Sequence, residues 1–188
     1  MPVGSELYRS LKEFEQKAPL LKDLSGEGNI IISTNGKTIR EIGMPMHYVN
    51  PGLEGIVAPQ SVLAYKTGDG LFMEGSIGAS FRDHKRFLAE EQSKLDTKYP
   101  GVGLIARLAT ASELAEISKD HFDKTGDRLF GVNYGYRSSW VSDYDEIGRQ
   151  GLFGNWHIQM GAEATLVPPQ LSTPYIGLVV VTEIASSF

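Results

Sequence analysis

The strongest constraint on the fold is the run Ile176-Gly-Leu-Val-Val-Val181, inside the stretch Tyr175–Ile184. Side chains alternate between the two faces of a strand, and here both faces are apolar. A strand of this kind needs neighbours and cover on both sides, which predicts a place in the middle of a sheet. Pro168, Pro169 and Pro174 keep the preceding segment irregular, because proline lacks the donor that a ladder requires. Further strands are predicted at Tyr136–Ser142 and Phe153–Met160.

Helices and turns fill the rest of the chain. Ser5–Leu24 carries Leu7, Leu11, Phe14 and Leu21 at helical spacing, with Pro19 expected to end or kink the helix. Asn35-Gly36 favours a tight turn, so Asn29–Thr34 and Lys37–Ile42 are expected to form a hairpin. Gly43–Pro59 is expected to be a long ordered loop, and Val62–Glu74 a second hairpin turning at Thr67-Gly-Asp-Gly70. Two capped helices follow. Ser80 with Asp83 opens the first, whose stripe of Phe81, His84, Leu88 and Leu95 stops before Pro100-Gly101. After an apolar strand at Val102–Leu108, Thr110 with Glu113 opens the second. Its buried face is Leu114, Ile117 and either His121 or Phe122, and Gly126 ends it. The order predicts an α+β fold, mainly antiparallel, with two or three helices and long irregular loops. Residues 1–24 are expected to form an amphipathic helix and residues 25–188 a single domain.

At 188 residues and 41% hydrophobic, the chain can bury a core without covalent staples. It has no cysteine to supply any, which excludes disulfides, zinc–thiolate sites, iron–sulfur clusters and cysteine nucleophiles. A net charge of −5 argues against a nucleic-acid partner. Arg82, Lys85 and Arg86 alternate with Asp83, Glu90 and Glu91, as on a solvated helix face. No signal-peptide pattern or bilayer-length apolar run occurs, so the expected location is the cytoplasm or a particle assembled there.

Motifs of catalysis are sparse. His47, His84, His121 and His157 include no pair at i, i+4, and no Gly-x-Ser-x-Gly elbow or phosphate-binding glycine loop occurs. No cofactor is implied. A spatial site joining His47 or His157 to Asp143 or Asp145 would suit a small hydrolase or transferase. Asp143, Asp145 and Gly148 fall at positions one, three and six of a calcium loop, but Ile147 and Gly154 at five and twelve exclude an EF-hand. Asp143, Asp145 and Glu146 remain candidate donors for a looser metal site. Among the clustered aromatics, Trp140 and Trp156 are assigned to the core. Tyr134, Tyr136, Arg137 and His157 are assigned to ligand contact, since tyrosine-bearing loops make rigid recognition surfaces.

The segment Ala106-Arg-Leu-Ala-Thr110-Ala-Ser-Glu-Leu114 resembles the second-helix entry of bacterial C-type-lectin-like domains, worded Arg-Leu-Pro-Thr-x-x-Glu-Leu. The preceding helix, Arg137-Ser-Ser-Trp140, a tryptophan-bearing strand and a closing apolar strand follow the family's order over roughly residues 60–188. Ala109 stands in place of the proline, and the family's cysteines and calcium motifs are absent, so calcium-dependent sugar binding is not implied. The resemblance implies a scaffold displaying variable loops, as in adhesins and phage receptor-binding proteins. The expected function is a non-enzymatic binding or assembly module for a protein or glycan ligand, in a homo-oligomer. The alternatives are the small hydrolase or transferase, and a secreted-system effector or its immunity partner.

Overall fold

The computed structural model describes residues 17–130, 138–157 and 161–184, with side chains except at 155–157. A helix over residues 17–26 (α1) leads to β1 (Ile30–Ser33), α2 (Ile39–Ile42), β2 (Met46–Val49), α3 (Pro51–Glu54) and β3 (Val62–Tyr65). Then come α4 (His84–Lys98), β4 (Leu104–Leu108) and α5 (Ala111–Thr125). Five strands complete the order: β5 (Ser138–Tyr144), β6 (Gln150–His157), β7 (Gly161–Val167), β8 (Ile176–Leu178) and β9 (Val180–Ile184). The strands form a four-stranded antiparallel sheet, β1-β3-β9-β4, and a five-stranded sheet, β2-β7-β6-β5-β8. Among the described strands, only the β2–β7 and β5–β8 pairs are parallel. The fold is α+β and mainly antiparallel, as the sequence predicts.

The alternation of each strand sorts the core. Leu63, Tyr65 and Val181 of the four-stranded sheet and Val141, Phe153 and Ala164 of the five-stranded sheet share one apolar cluster with Leu114 and Ile117 of α5. Every residue of α5 from Ala111 to Ser118 is buried. On the opposite face of the first sheet, Ala64, Leu104 and Ile184 pack with Leu24, Leu20 and Leu21 of α1 and Leu95 of α4. A third cluster joins Phe87 of α4 and Leu108 to Trp140, Leu152 and Leu178. Trp140 is fully buried, and its indole N–H donates to the Ala79 carbonyl at 3.2 Å.

Both expected hairpins are overturned. Asn35-Gly36 does turn the chain, with Gly36 at φ +66°, but Lys37–Ile42 does not return beside β1. Thr38 and Glu41 make a capping box, Thr38 N–H donating to the Glu41 carboxylate at 2.9 Å, and this starts α2. Ile39 and Ile42, three apart, both reach the core on a helix, so β1 pairs with β3 instead. In the second case Leu71 and Phe72 fold into the core after a 3₁₀ turn at Gly68–Gly70, and the Met73 amide donates to Leu178 O at 2.8 Å. The expected loop over Gly43–Pro59 contains β2 and α3, the latter opened by Pro51 and capped by Asn50. Pro19 lies within the helix over 17–26 and does not end it. The single strand expected at Tyr175–Ile184 is two. β8 is an edge of the five-stranded sheet, Val179 makes the crossing, and β9 is an interior strand of the other sheet.

The paired capping boxes hold as predicted. Ser80 O–H donates to Asp83 at 2.9 Å, α4 ends before Pro100, and Gly126, at φ +76°, closes α5. On α4 the buried position is Phe87, not His84, and on α5 Phe122 is exposed. Among the described residues, no helix is long and apolar enough to cross a membrane.

Candidate ligand-binding cleft

β4 runs directly into α5 through Ala109 and Thr110, and this passage carries the densest charge network of the described residues. Arg107 points to the face of β4 opposite Leu104, Ala106 and Leu108. Its Nη1 and Nη2 donate to the two oxygens of Glu113 at 2.8 and 2.6 Å, and its Nε donates to Glu183 of β9. Nη1 also reaches the Leu108 carbonyl at 3.1 Å. Burial works against the Arg107 charge, but hydrogen bonds and charge from Glu113 and Glu183 outweigh it and push its pKa upward. Glu113 is fully buried, and it accepts the Thr110 amide at 2.8 Å while Thr110 O–H caps the Glu113 amide. One carboxylate therefore closes a helix start and anchors a guanidinium.

A cleft of about 550 Å³ opens above this network. One wall is the 3₁₀ turn Phe81–Asp83 and the start of α4 that follows it, where Phe81 and His84 stack with ring centroids 4.1 Å apart and Leu88 continues the surface. The floor is Arg107, Leu108 and Thr110, with Glu183 beside them, and the far wall is Ser142, Tyr144 and Gln150. The tip of the β5–β6 hairpin adjoins that far wall. Its turn is held by Asp145, whose carboxylate accepts both the Arg149 amide and Arg149 Nε at 2.7 Å, and by Gly148 at φ +79°. On this braced turn Tyr144 is 71% exposed and Ile147 78% exposed. Large apolar side chains so exposed on a rigid tip are suited to contact, because little conformational freedom is lost when they are covered.

Of the residues assigned to ligand contact from sequence, Tyr134, Tyr136 and Arg137 lie outside the described residues. His157 ends β6, and its side chain is likewise outside the description. The metal candidates have separate tasks. Asp143 is buried and accepts the Ala111 amide at 2.5 Å at the start of α5. Burial raises its pKa, the Ala111 bond opposes this, and Glu113 adds to the rise. Asp145 braces the hairpin turn, and Glu146 is exposed. Among the described residues, no group of three or more His, Asp and Glu side chains is placed to hold a metal ion.

The register also separates the proposed acid–base partners. Tyr144 pairs with Gln150, at the opposite end of β6 from His157, a run of roughly 23 Å at about 3.3 Å per residue. His47 lies on the edge strand β2, exposed and separated from β6 by β7. The cleft residues His84, Tyr144 and Glu183 were not singled out as a site by the sequence. Arg107 and Glu113 were visible only as part of the helix-entry motif.

No family model matches the chain, and neither curated proteins nor solved structures yield a similar one.

Proposed function

We propose that the protein is a non-catalytic binding module that recognises a protein partner at the cleft between the start of α4 and the β5–β6 hairpin. The observation that carries this reading is the juxtaposition of an open cleft of about 550 Å³ with the exposed, braced pair Tyr144 and Ile147. Ligand sites are concave, largely apolar and furnished with a few polar groups, and this cleft has that character in Phe81, Leu88 and Leu108 beside Arg107 and Glu183. The scaffold is proposed to be of the C-type-lectin-like kind. Its support is the order β3, α4, β4, α5, followed by strands of which the last, β9, returns between β3 and β4. Arg107, Thr110, Glu113 and Leu114, the residues of the resemblance, sit together at the β4–α5 passage.

Peptide and glycan arrays probed with the full chain and with a Tyr144→Ala, Ile147→Ser variant test the proposal. Both positions are exposed, so the variant should keep the wild-type unfolding free energy to within about 0.5 kcal/mol while losing captured peptides. Equal capture by the two proteins removes the cleft mouth from the binding surface. Glycan capture alone replaces the protein partner with a sugar, and chemical turnover of an arrayed ligand overturns the non-catalytic reading.

A further inference from the structure

The chemistry of the cleft floor narrows what the partner must present. This step rests on the cleft being the binding surface. Arg107 faces two carboxylates, Glu113 and Glu183, so the ion-pair network carries one surplus negative charge. The guanidinium has committed four of its five N–H donors within the protein: one from Nε, two from Nη1 and one from Nη2. An incoming anion would meet a cation already paired with two carboxylates and a network that carries a surplus negative charge. Glu183 is the reverse case. Among the described residues, one of its oxygens accepts from Arg107 and the other only from Ser61 O–H at 3.2 Å, while its side chain stays 29% exposed. A carboxylate has about four lone-pair positions, so acceptor capacity remains on the solvent side.

The walls complete the picture. The stacked rings of Phe81 and His84 face a cleft whose other side carries Tyr144, with Leu88 and Leu108 between them. Aromatic faces attract cations, and aliphatic surface accommodates the methylene stem of a long basic side chain. We infer that the cleft takes a basic side chain, arginine or lysine, presented by a protein partner. A protein is favoured over a free amine because Tyr144 and Ile147 extend apolar surface beyond the cleft, where only a larger ligand reaches.

The test is a titration of the isotope-labelled full chain, followed by amide shifts. Three probes are used: a blocked tripeptide with central arginine, the same peptide with uncharged citrulline, and free ethylguanidinium. The arginine peptide should shift the amides of His84, Leu108 and Tyr144, and bind roughly fivefold more tightly than the citrulline peptide. Ethylguanidinium should bind more weakly than either arm of that comparison allows for charge alone. In Glu183→Gln the arginine preference should fall to near one. Should that variant fail to fold, the wild-type comparison of arginine with citrulline still decides. Equal affinity for the two peptides overturns the basic side chain while leaving the cleft as a binding surface. Ethylguanidinium binding as tightly as the arginine peptide overturns the protein partner. Shifts that miss the cleft with every probe overturn this inference, whereas the array comparison of the tip variant judges the binding reading independently.

Discussion

Replacing Arg107 by Met should destabilise the fold more than replacing its partner Glu113 by Gln, and the asymmetry follows from burial. Glu113 has no exposed surface, whereas the Arg107 side chain keeps 22% of its own. Without Arg107, the Glu113 carboxylate keeps, among the described residues, the Thr110 amide as its one remaining donor. Removing one partner of a buried pair in this way costs about 3–5 kcal/mol, and Met preserves most of the stem's packing volume. Glu113→Gln leaves Arg107 with Glu183, the Leu108 carbonyl and partial solvent access, so its cost should be about 2–3 kcal/mol. In a chain of this length each kcal/mol moves the thermal midpoint by about 2–4 °C, which places Arg107→Met roughly 6–20 °C below wild type. Urea denaturation followed by circular dichroism gives the free energies. The double variant should be less damaged than the sum of the singles by about 1–3 kcal/mol, since the two groups act on each other. An Arg107→Met variant within about 1 kcal/mol of wild type, or strictly additive singles, would refute the reasoning.

Two other changes test separate parts of the structure. Burial raises the Asp143 pKa, so between the ordinary carboxylate value near 4 and the raised one the folded protein holds more protons than the unfolded chain. The stability contributed by Asp143 is therefore full below the ordinary value and is lost as pH rises through the folded pKa. Urea midpoints of wild type and Asp143→Asn at acid and neutral pH should show the variant gaining on wild type as pH rises. Gly177→Ala should cost about 1–3 kcal/mol through overpacking, because a Cβ there would lie 2.6 Å from Phe72 Cδ1. A denaturation midpoint equal to wild type would show that Phe72 yields freely.

How much was legible from sequence depends on how local the deciding contact is. The starts of α4 and α5 were readable because Ser80 with Asp83 and Thr110 with Glu113 settle their geometry within one turn. Thr38 with Glu41 carries the same signature, yet the β-branched run Ile30–Ile32 and the Asn35-Gly36 turn pointed to a hairpin. Ile39 and Ile42 suit a helical face, and tertiary pairing of β1 with β3 decided the outcome. The two-sided apolar character of Ile176–Val181 predicts a mid-sheet strand, which holds for β9 but not for the edge strand β8, and nothing local marks Val179 as the point where one sheet gives way to the other. The candidate cleft was less readable still. Glu183 is 76 residues from Arg107, and Tyr144 faces His84 only after β5 is laid against the start of α4. Charged residues that look like solvated surface in sequence become a site only through such non-local contacts.

The crossing at Val179 also sets the order in which the molecule can be made. Until residues 180–184 have left the ribosome, β3 and β4 have no common neighbour, and until 176–178 have done so β5 lacks its parallel edge partner. Leu63 waits for Glu183, 120 positions further along the chain. Until then β3 and β4 stay unjoined and apolar strand surface stays uncovered, a state prone to association. One short stretch then completes both sheets, so assembly resembles fastening a clasp more than adding layers.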